Sequence, residues 1–129
     1  MVALPVAVPY QKSMSDAFLY LTTRGRVTGQ PRRIEIWFVE HAGKYYILAE
    51  GREQAGWVKN LKVNPSVTFS VGPRATPASV VPVTPATARF VDRAASPELA
   101  AAVAKAMDAK YNWSDGLIVE IAPVGAAGG

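Results

Sequence analysis

The order of strand-like and helix-like segments limits what this chain can fold into more than any other feature. Five segments with strand character come first, a single long helix pattern begins near Ser96, and one more strand-like segment follows it. Repeated βαβ units would need a helix between successive strands, so this order excludes them. We expect a small antiparallel β-barrel with a helix packed against it.

The predicted strands are rich in aromatic and β-branched residues, which favour extended backbone. Six segments have this character: 18–23, 32–41, 44–50, 66–72, 86–92 and 116–124. A short helix is expected within 51–65. Trp57, Val58 and Leu61 have helical spacing there. Pro65 would end such a helix, because the residue before a proline disfavours the helical conformation.

The long helix has clear start signals. Ser96 suits the N-cap, Pro97 suits the first helical position, and Glu98 is favourable at the positive end of the helix. Its apolar residues recur every four positions, at Leu99, Val103, Met107 and Tyr111. One face of this helix is therefore expected to pack on the sheet.

A chain of 129 residues is expected to form a single domain, 1–129. Within it we expect an extended lead over 1–12 and a helical turn over 13–18. Proline cannot donate a hydrogen bond to a central strand pair, so the proline-rich segment 73–85 is expected to be a loop or an edge strand. A flexible tail is expected over 125–129.

Composition excludes several kinds of site. The chain has no cysteine, which excludes disulfides, thiolate metal sites and thiol nucleophiles. Its single histidine argues against multi-histidine metal centres and Ser-His-Asp catalysis. The N-terminus lacks the basic region of a signal peptide, and no apolar run approaches the ~18 residues of a membrane span. We therefore expect a soluble, cytoplasmic domain without a metal.

Positive charge is concentrated in one turn, TTRGRVTGQPRRIEIWF (22–38). Four arginines lie around two glycines, and no acid occurs before Glu35. The glycine spacing matches neither GxGxxG nor a Walker loop. One interpretation is a charged turn that only faces solvent; the other is an anion cradle of guanidinium groups, turn N–H groups and the Thr28 hydroxyl. Arg32 and Arg33 alternate along a strand, so only one of them would face such a ligand.

A second segment with candidate binding residues is GWVKNLKVNP (56–65). A helix that carries Trp57, Lys59 and Asn60 would be able to close over a ring system. Alternatively, Trp57 and Leu61 are core residues, and the two roles are compatible because a core tryptophan can line a pocket with its edge. We expect the Trp57 ring to pack into the core and Asn60 to face the cleft.

Two separated motifs resemble those of the deazaflavin-dependent nitroreductase family. The family pattern TT-x-GR-x-[ST]-G-x-PR, followed by a strand ending in WF, is similar to LTTRGRVTGQPRRIEIWF, and W-x-x-NL-x-x-NP is similar to WVKNLKVNP. The likeness covers about residues 18–70. It implies a mainly β (α+β) fold, a six-stranded antiparallel split β-barrel with a short helix after strand 3 and a longer helix before the last strand. It also implies binding of coenzyme F-420, an 8-hydroxy-5-deazaflavin, with its phosphate-bearing tail near the basic turn.

The resemblance further implies a set of cofactor-binding residues on the turn, on the two following strands and on the short helix. Carried over by position, these are Arg26, Val27, Thr28, Arg32, Arg33, Ile34, Glu35, Ile36, Trp37, Leu48, Ala49, Glu50, Gly51, Trp57, Val58, Lys59 and Asn60. Tyr111 resembles in placement the tyrosines of the family's substrate pocket, although it also completes the apolar stripe of the long helix. Many members have lysine, proline and a small polar residue where this chain has Val27, Glu35 and Glu50.

The function that the resemblance implies is hydride transfer between reduced coenzyme F-420 and a small organic acceptor such as a quinone or a nitro compound. The deazaflavin ring carries that chemistry, which suits a chain without obvious catalytic residues. An FMN-binding split-barrel oxidoreductase and a non-catalytic carrier of a cofactor, haem or a lipid remain alternatives. A nucleic-acid-binding barrel fits less well with a net charge of only +4. The sequence is also compatible with a homodimer.

Overall fold

The structure is a computed structural model that describes residues 17–74 and 83–124. Seven strands in this part of the chain pair into one antiparallel sheet. The strands are β1 (Ala17–Arg24), β2 (Pro31–Ile36), β3 (Val39–His41), β4 (Lys44–Ala49), β5 (Ser66–Pro73), β6 (Thr84–Val91) and β7 (Leu117–Pro123). The helices are α1 (Gly56–Val63) and α2 (Pro97–Tyr111), and a short 3-10 turn covers Arg52–Gln54. Neither of these described helices is long and apolar enough to cross a membrane.

The two edge strands of the sheet are consecutive in the chain. Across the sheet the order is β2-β1-β5-β6-β7-β4-β3, which leaves β2 and β3 at opposite edges with only Trp37 and Phe38 between them. The sheet must therefore curl until its edges are near each other, although no ladder joins them. The expected mainly β, antiparallel architecture is confirmed, but the sheet is unclosed and has seven strands rather than six.

The seventh strand appears because the long strand predicted over 32–41 is wrong: β2 and β3 are separate. At the break, the Phe38 N–H donates to the Tyr111 hydroxyl (3.2 Å), and the Phe38 carbonyl accepts from that hydroxyl (3.0 Å) and from Lys110 Nζ (3.0 Å). The backbone of Phe38 is thus satisfied by the end of α2 instead of by a neighbouring strand. This releases the chain from the β2 edge and lets it continue at the other edge of the sheet.

The helix boundaries differ slightly from those predicted. The helix expected within 51–65 is present, but it is divided into the 3-10 turn and α1, and it ends before Pro65. Ser96 precedes α2 as expected, yet its side chain makes no capping hydrogen bond. At the other end, Asn112 has a left-handed conformation (φ 59°), which ends α2.

Several predicted segments lie wholly or partly outside the described residues. These are the extended lead (1–12), the tail (125–129) and most of the proline-rich segment (73–85). The last two residues of that proline-rich segment already belong to β6 and pair with β5. The helical turn predicted over 13–18 is wrong for its last two residues, because both pair with β5 as part of β1.

Two apolar cores lie on opposite faces of the sheet. The inner core is enclosed by the curled sheet and α1, and Ile47, Val119 and Leu61 belong to it. The outer core lies under α2, where Val103 and Met107 are fully buried, with Leu99 and Tyr111 packed at its border. The predicted apolar stripe of the long helix is therefore confirmed, and neighbouring strand residues alternate between the two cores as the period of two requires.

A buried carboxylate lies on the outer face of β7. Glu120 is 4% exposed and accepts hydrogen bonds from the Tyr46 hydroxyl (2.8 Å) and from Arg89 Nε (3.1 Å) and Nη2 (2.9 Å). Burial alone would raise the pKa of Glu120, but the bonds from Arg89 and Tyr46 outweigh it, so this pKa lies below its ordinary value. Burial and the bond to Glu120 raise the pKa of Tyr46 to about 12, so the phenol stays a donor.

Glu120 should make the stability of the fold sensitive to acid. Because its pKa is lower in the folded state, its stabilising contribution is complete above the ordinary value of 4.5 and is lost as pH falls through the folded pKa. Glu120→Gln should lower the free energy of unfolding by about 1–3 kcal/mol at neutral pH. It should also make this free energy less dependent on pH in the acid range. Urea unfolding at neutral pH and at about pH 3 measures both effects. If acid lowers the free energy of unfolding equally in the parent and the variant, this role of Glu120 is contradicted.

Candidate functional site

The turn between β1 and β2 is closed by its own backbone. The Gly25 N–H donates to the Gln30 carbonyl (2.8 Å), and the Gly29 N–H donates to the Gly25 carbonyl (2.9 Å). Gly29 has a φ of 77°, which glycine adopts without strain. The Thr28 hydroxyl oxygen accepts from the Gln30 N–H (3.2 Å), which leaves its O–H group able to donate to a ligand. Residues 26–28 are exposed at the tip of this rigid turn.

A cavity of about 500 Å³, called the basic cavity below, lies between this turn, β2 and the start of α1. Its lining residues are Gly25, Arg26, Val27, Thr28, Arg32, Ile34, Gly56, Trp57 and Asn60. The charged residues in this set are Arg26 and Arg32, and none of the described residues that line the cavity is acidic. Guanidinium groups beside a hydroxyl and turn N–H groups are the donors that bind phosphates and carboxylates in proteins.

Asn60 connects the basic turn to α1. Its Oδ1 accepts hydrogen bonds from the Arg26 N–H (3.2 Å) and from Arg26 Nη1 (2.8 Å). Arg26 Nη1 also donates to the Gly56 carbonyl (3.3 Å). The Nδ2 group of Asn60 donates to the buried Thr23 hydroxyl on β1 (3.1 Å). The position of Arg26 in the basic cavity is therefore fixed from both its backbone and its side chain.

A second cavity of about 580 Å³, called the aromatic cavity, adjoins the first at Trp57, which lines both. Its lining residues are Phe18, Glu35, Ile36, Trp37, Leu48, Ala49, Glu50, Gly51, Trp57, Met107 and Trp113. All three tryptophans of the chain are in this set. Its volume is in the range of small-molecule and cofactor sites, and its mostly apolar lining with a few polar groups is typical of them.

Trp37 is held in the wall of the aromatic cavity by Tyr111. The two rings are stacked, with centroids 4.4 Å apart and planes inclined by 4°. The Tyr111 hydroxyl is bound to the backbone of Phe38, so the tyrosine ring cannot move away from Trp37 without breaking both hydrogen bonds. Burial raises the pKa of Tyr111, although the bond to the Phe38 backbone opposes this. Tyr111 is not among the residues that line the cavity, but it contacts the lining residue Trp37, and its place in a substrate pocket stays a prediction.

The structure brings most of the predicted site residues together. Seven line the basic cavity and eight line the aromatic cavity, with Trp57 counted in both. Arg33, Val58 and Lys59 line neither of these two cavities. The Arg33 guanidinium lies 4.2 Å from the centroid of the Tyr20 ring, on the opposite face of β2 from Arg32, as the alternation along a strand predicted. Val58 is fully buried in the protein interior, which is a correction to its predicted contact with a cofactor.

The predictions for Trp57 and Asn60 are confirmed in part, because Trp57 packs against the inner core and Asn60 lines the basic cavity. Their burial differs from the expectation: Trp57 is only partly buried and lines both cavities, whereas Asn60 is 5% exposed. The fully buried apolar residues of α1 are Val58 and Leu61, and this orientation of the helix turns the Asn60 amide toward β1 and the basic turn.

Phe18, Met107 and Trp113 line the aromatic cavity but were not predicted to do so. Met107 was identified only as part of the helix stripe, and a single methionine offers no further signal. Trp113 had one available signal, the nearby Gly116. A Cβ atom at Gly116 would lie 2.9 Å from the Ala49 carbonyl oxygen and 3.0 Å from the Trp113 ring, so glycine is required for this close packing.

Comparison with protein families gives one match over most of the chain. The family described as "F420H(2)-dependent quinone reductase" matches residues 5–112. The F420H(2)-dependent quinone reductase Rv1261c of Mycobacterium tuberculosis is 36% identical over 70 residues, which is 52% of this chain and 47% of that protein. The chain thus spans about half the length of the curated relatives it matches.

Solved structures share the fold at lower identity. The haem storage protein HutZ from Vibrio cholerae is similar with a TM-score of 0.64 at 21% identity, over 87% of this chain and 84% of that one. A protein described as F420 reductase is similar with a TM-score of 0.55 at 19% identity, over 91% and 96% of the two chains. At such identities the likeness shows a common split-barrel architecture and nothing about ligands.

Tyr111→Phe should test the bond that separates β2 from β3. The variant keeps the ring that stacks on Trp37 but removes the hydroxyl that, among the described residues, is the only partner of the Phe38 N–H, so the free energy of unfolding should fall by about 1–2 kcal/mol. Tyr45→Phe is the matched control, because the Tyr45 hydroxyl has no hydrogen-bond partner among the described residues. Thermal unfolding measures both variants, and equal melting temperatures for the two would contradict this role of Tyr111.

Proposed function

Because the chain belongs to the F420H(2)-dependent quinone reductase family, we propose that it is an oxidoreductase that uses reduced coenzyme F-420 to reduce a small organic acceptor, with quinones as the acceptor class. The single observation that supports this most is the junction of two chemically different cavities at Trp57. One has the donors for an anionic tail, and the other has the aromatic walls for a planar ring. A cofactor with both parts would occupy both.

The basic cavity fits the charged part of such a cofactor. Arg26 and Arg32 are exposed side chains of the turn and β2, and both line the cavity. Arg26 Nε and Nη2 have no hydrogen-bond partner among the described residues, so they can donate to a ligand. Each charge-assisted hydrogen bond to a phosphate or carboxylate contributes about 1.5–3 kcal/mol, so three of them near the upper end of that range would reach micromolar binding.

The aromatic cavity fits the ring and the acceptor. Trp37, Trp57 and Trp113 provide flat apolar surfaces, and rings favour offset stacking or edge contacts with such surfaces. The Trp37 ring already stacks on Tyr111 on one side, which makes it a rigid wall. These side chains would orient a planar ligand and exclude water from its faces.

In this proposal the chain's residues bind and orient, and they carry out no covalent chemistry. The bound coenzyme supplies the hydride. Reduction of a quinone also needs a proton, and the ionisable side chains that line the aromatic cavity are Glu35 and Glu50, both exposed. A proton can therefore come from water or through these carboxylates, which matches the absence of a buried acid or base among the described lining residues.

Haem carriage, one alternative left open by the sequence, has little support in the site. His41 is the only histidine of the chain, and it lies at the exposed end of β3, where its ring contacts the edge of Tyr46. Neither cavity has a histidine in its lining. FMN remains a direct competitor, because it also combines a planar ring with a phosphate.

The decisive experiment compares the two ring cofactors. Calorimetric titration of the purified protein with oxidised coenzyme F-420 and with FMN measures the preference, and we expect tighter binding of F-420. Quinone-dependent oxidation of reduced F-420, followed by the visible absorption of the coenzyme, then measures the reaction. Tighter binding of FMN, or binding of F-420 without quinone reduction, would contradict the proposed function.

Arg32→Ala and Arg33→Ala should separate the two faces of β2. Arg32 lines the basic cavity, so its loss should weaken cofactor binding by about 1–3 kcal/mol, whereas Arg33 lies over the Tyr20 ring and should leave binding nearly unchanged. The same titration measures both variants. A larger loss of affinity from Arg33→Ala than from Arg32→Ala would place the anion on the other face of the strand.

A further inference from the structure

Asn60 lines the basic cavity, and the hydrogen bonds of its side chain are made to other residues of the protein. It is 5% exposed, and its amide joins three elements: α1, β1 through Thr23, and the basic turn through Arg26. Thr23 is 1% exposed, so the hydroxyl that accepts from Asn60 Nδ2 is also shielded from water. A buried amide with partners at both ends is strongly oriented, because rotation would leave donors and acceptors unpaired.

The orientation of the amide determines what it can do. Oδ1 accepts two hydrogen bonds, from the backbone N–H and from Nη1 of Arg26, and an amide oxygen has two lone pairs. Nδ2 donates toward β1. The Asn60 Oδ1 therefore has no lone pair left, and one N–H of Nδ2 is used by Thr23. The strongest link from Asn60 to an anion in the basic cavity is Arg26, whose backbone and side chain both donate to Oδ1.

We propose that Asn60 is a positioning residue for anion binding: it holds the Arg26 guanidinium in the basic cavity before the ligand arrives. This inference rests on the proposed function, in which the basic cavity takes the anionic part of the cofactor. An exposed arginine ordinarily loses side-chain entropy when it binds a ligand. Here one nitrogen is already anchored to Asn60 and Gly56, while Nε and Nη2 remain available to the anion.

A double-mutant cycle tests the proposal. The affinity for inorganic pyrophosphate is measured by NMR titration of the ¹⁵N-labelled protein for the parent, Asn60→Ala, Arg26→Ala and the double variant. Asn60→Ala should lower the affinity by about tenfold, and Arg26→Ala by at least as much. Because Asn60 acts through Arg26, the double variant should bind no more weakly than Arg26→Ala alone. Additive losses would overturn the proposal.

Asn60→Asp tests whether the anion binds beside Arg26 and position 60 while the fold is kept. The carboxylate can accept both bonds from Arg26, and the Thr23 hydroxyl can turn to donate to it, so the melting temperature should stay within a few degrees of the parent. The added negative charge beside Arg26 should nevertheless reduce pyrophosphate affinity about tenfold or more. Unchanged affinity in this variant would overturn the proposal.

Asn64→Ala is the matched control. Asn64 lies directly after α1, and its Oδ1 accepts from the Ser66 N–H (3.1 Å), so this variant also removes a structural amide from the same helix end. It should melt at a lower temperature and bind pyrophosphate like the parent. If Asn60→Ala does not fold, Thr23→Val replaces it in the cycle, because loss of the hydroxyl removes the partner that orients the amide.

The outcomes distinguish this proposal from the proposed function. A parent protein that does not bind pyrophosphate would contradict the anion cradle, and with it both proposals. A parent that binds, together with an additive cycle or an affinity loss in Asn64→Ala equal to that in Asn60→Ala, would overturn only the positioning role. The Arg26 backbone N–H, which donates to Asn60 Oδ1, gives a further readout: its signal should shift in Asn60→Ala and stay unchanged in Asn64→Ala.

Discussion

The bond between the Phe38 backbone and the Tyr111 side chain determines the shape of this molecule. At this bond the run of strand-forming residues from Arg32 to His41 is interrupted. Because both the N–H and the carbonyl of Phe38 are satisfied by α2, the chain can leave β2 and begin β3 at the opposite edge without an unpaired buried backbone group. The same tyrosine fixes Trp37 at the break. Tyr111 thus contributes both to the break between β2 and β3 and to the position of Trp37 in the wall of the aromatic cavity.

The helix α1 organises the second half of the site. Its core-facing residues, Val58 and Leu61, anchor it to the protein interior, and this orientation puts Trp57 between the two cavities and Asn60 against the basic turn. This one eight-residue helix therefore contacts the protein interior, the aromatic cavity and the basic cavity. A change in the rotation of α1 would alter all three together.

The sequence predicted those features that local patterns determine. The apolar stripe of α2, the alternation of Arg32 and Arg33, and the two motifs that mark the family were all readable from neighbouring residues. The break at Phe38 was not, since its partner Tyr111 is 73 residues away and the strand pattern continues through it. The burial of Asn60 on α1 was missed for a related reason. Leu61 has apolar neighbours both three and four positions before it, and only the packed sheet decides between them.

The separation of charge between the cavities gives the site a direction. The positive groups, Arg26 and Arg32, line the basic cavity, and the acidic groups, Glu35 and Glu50, line the aromatic cavity. A carboxylate within the basic cavity would repel a phosphate, but in the aromatic cavity it disfavours the reversed orientation, in which an anionic tail would enter beside the tryptophans. A ligand with a planar ring and a charged tail can therefore be aligned by charge alone before any ring contact forms. This alignment requires no catalytic side chain, which agrees with the proposed function, in which a bound coenzyme supplies the hydride.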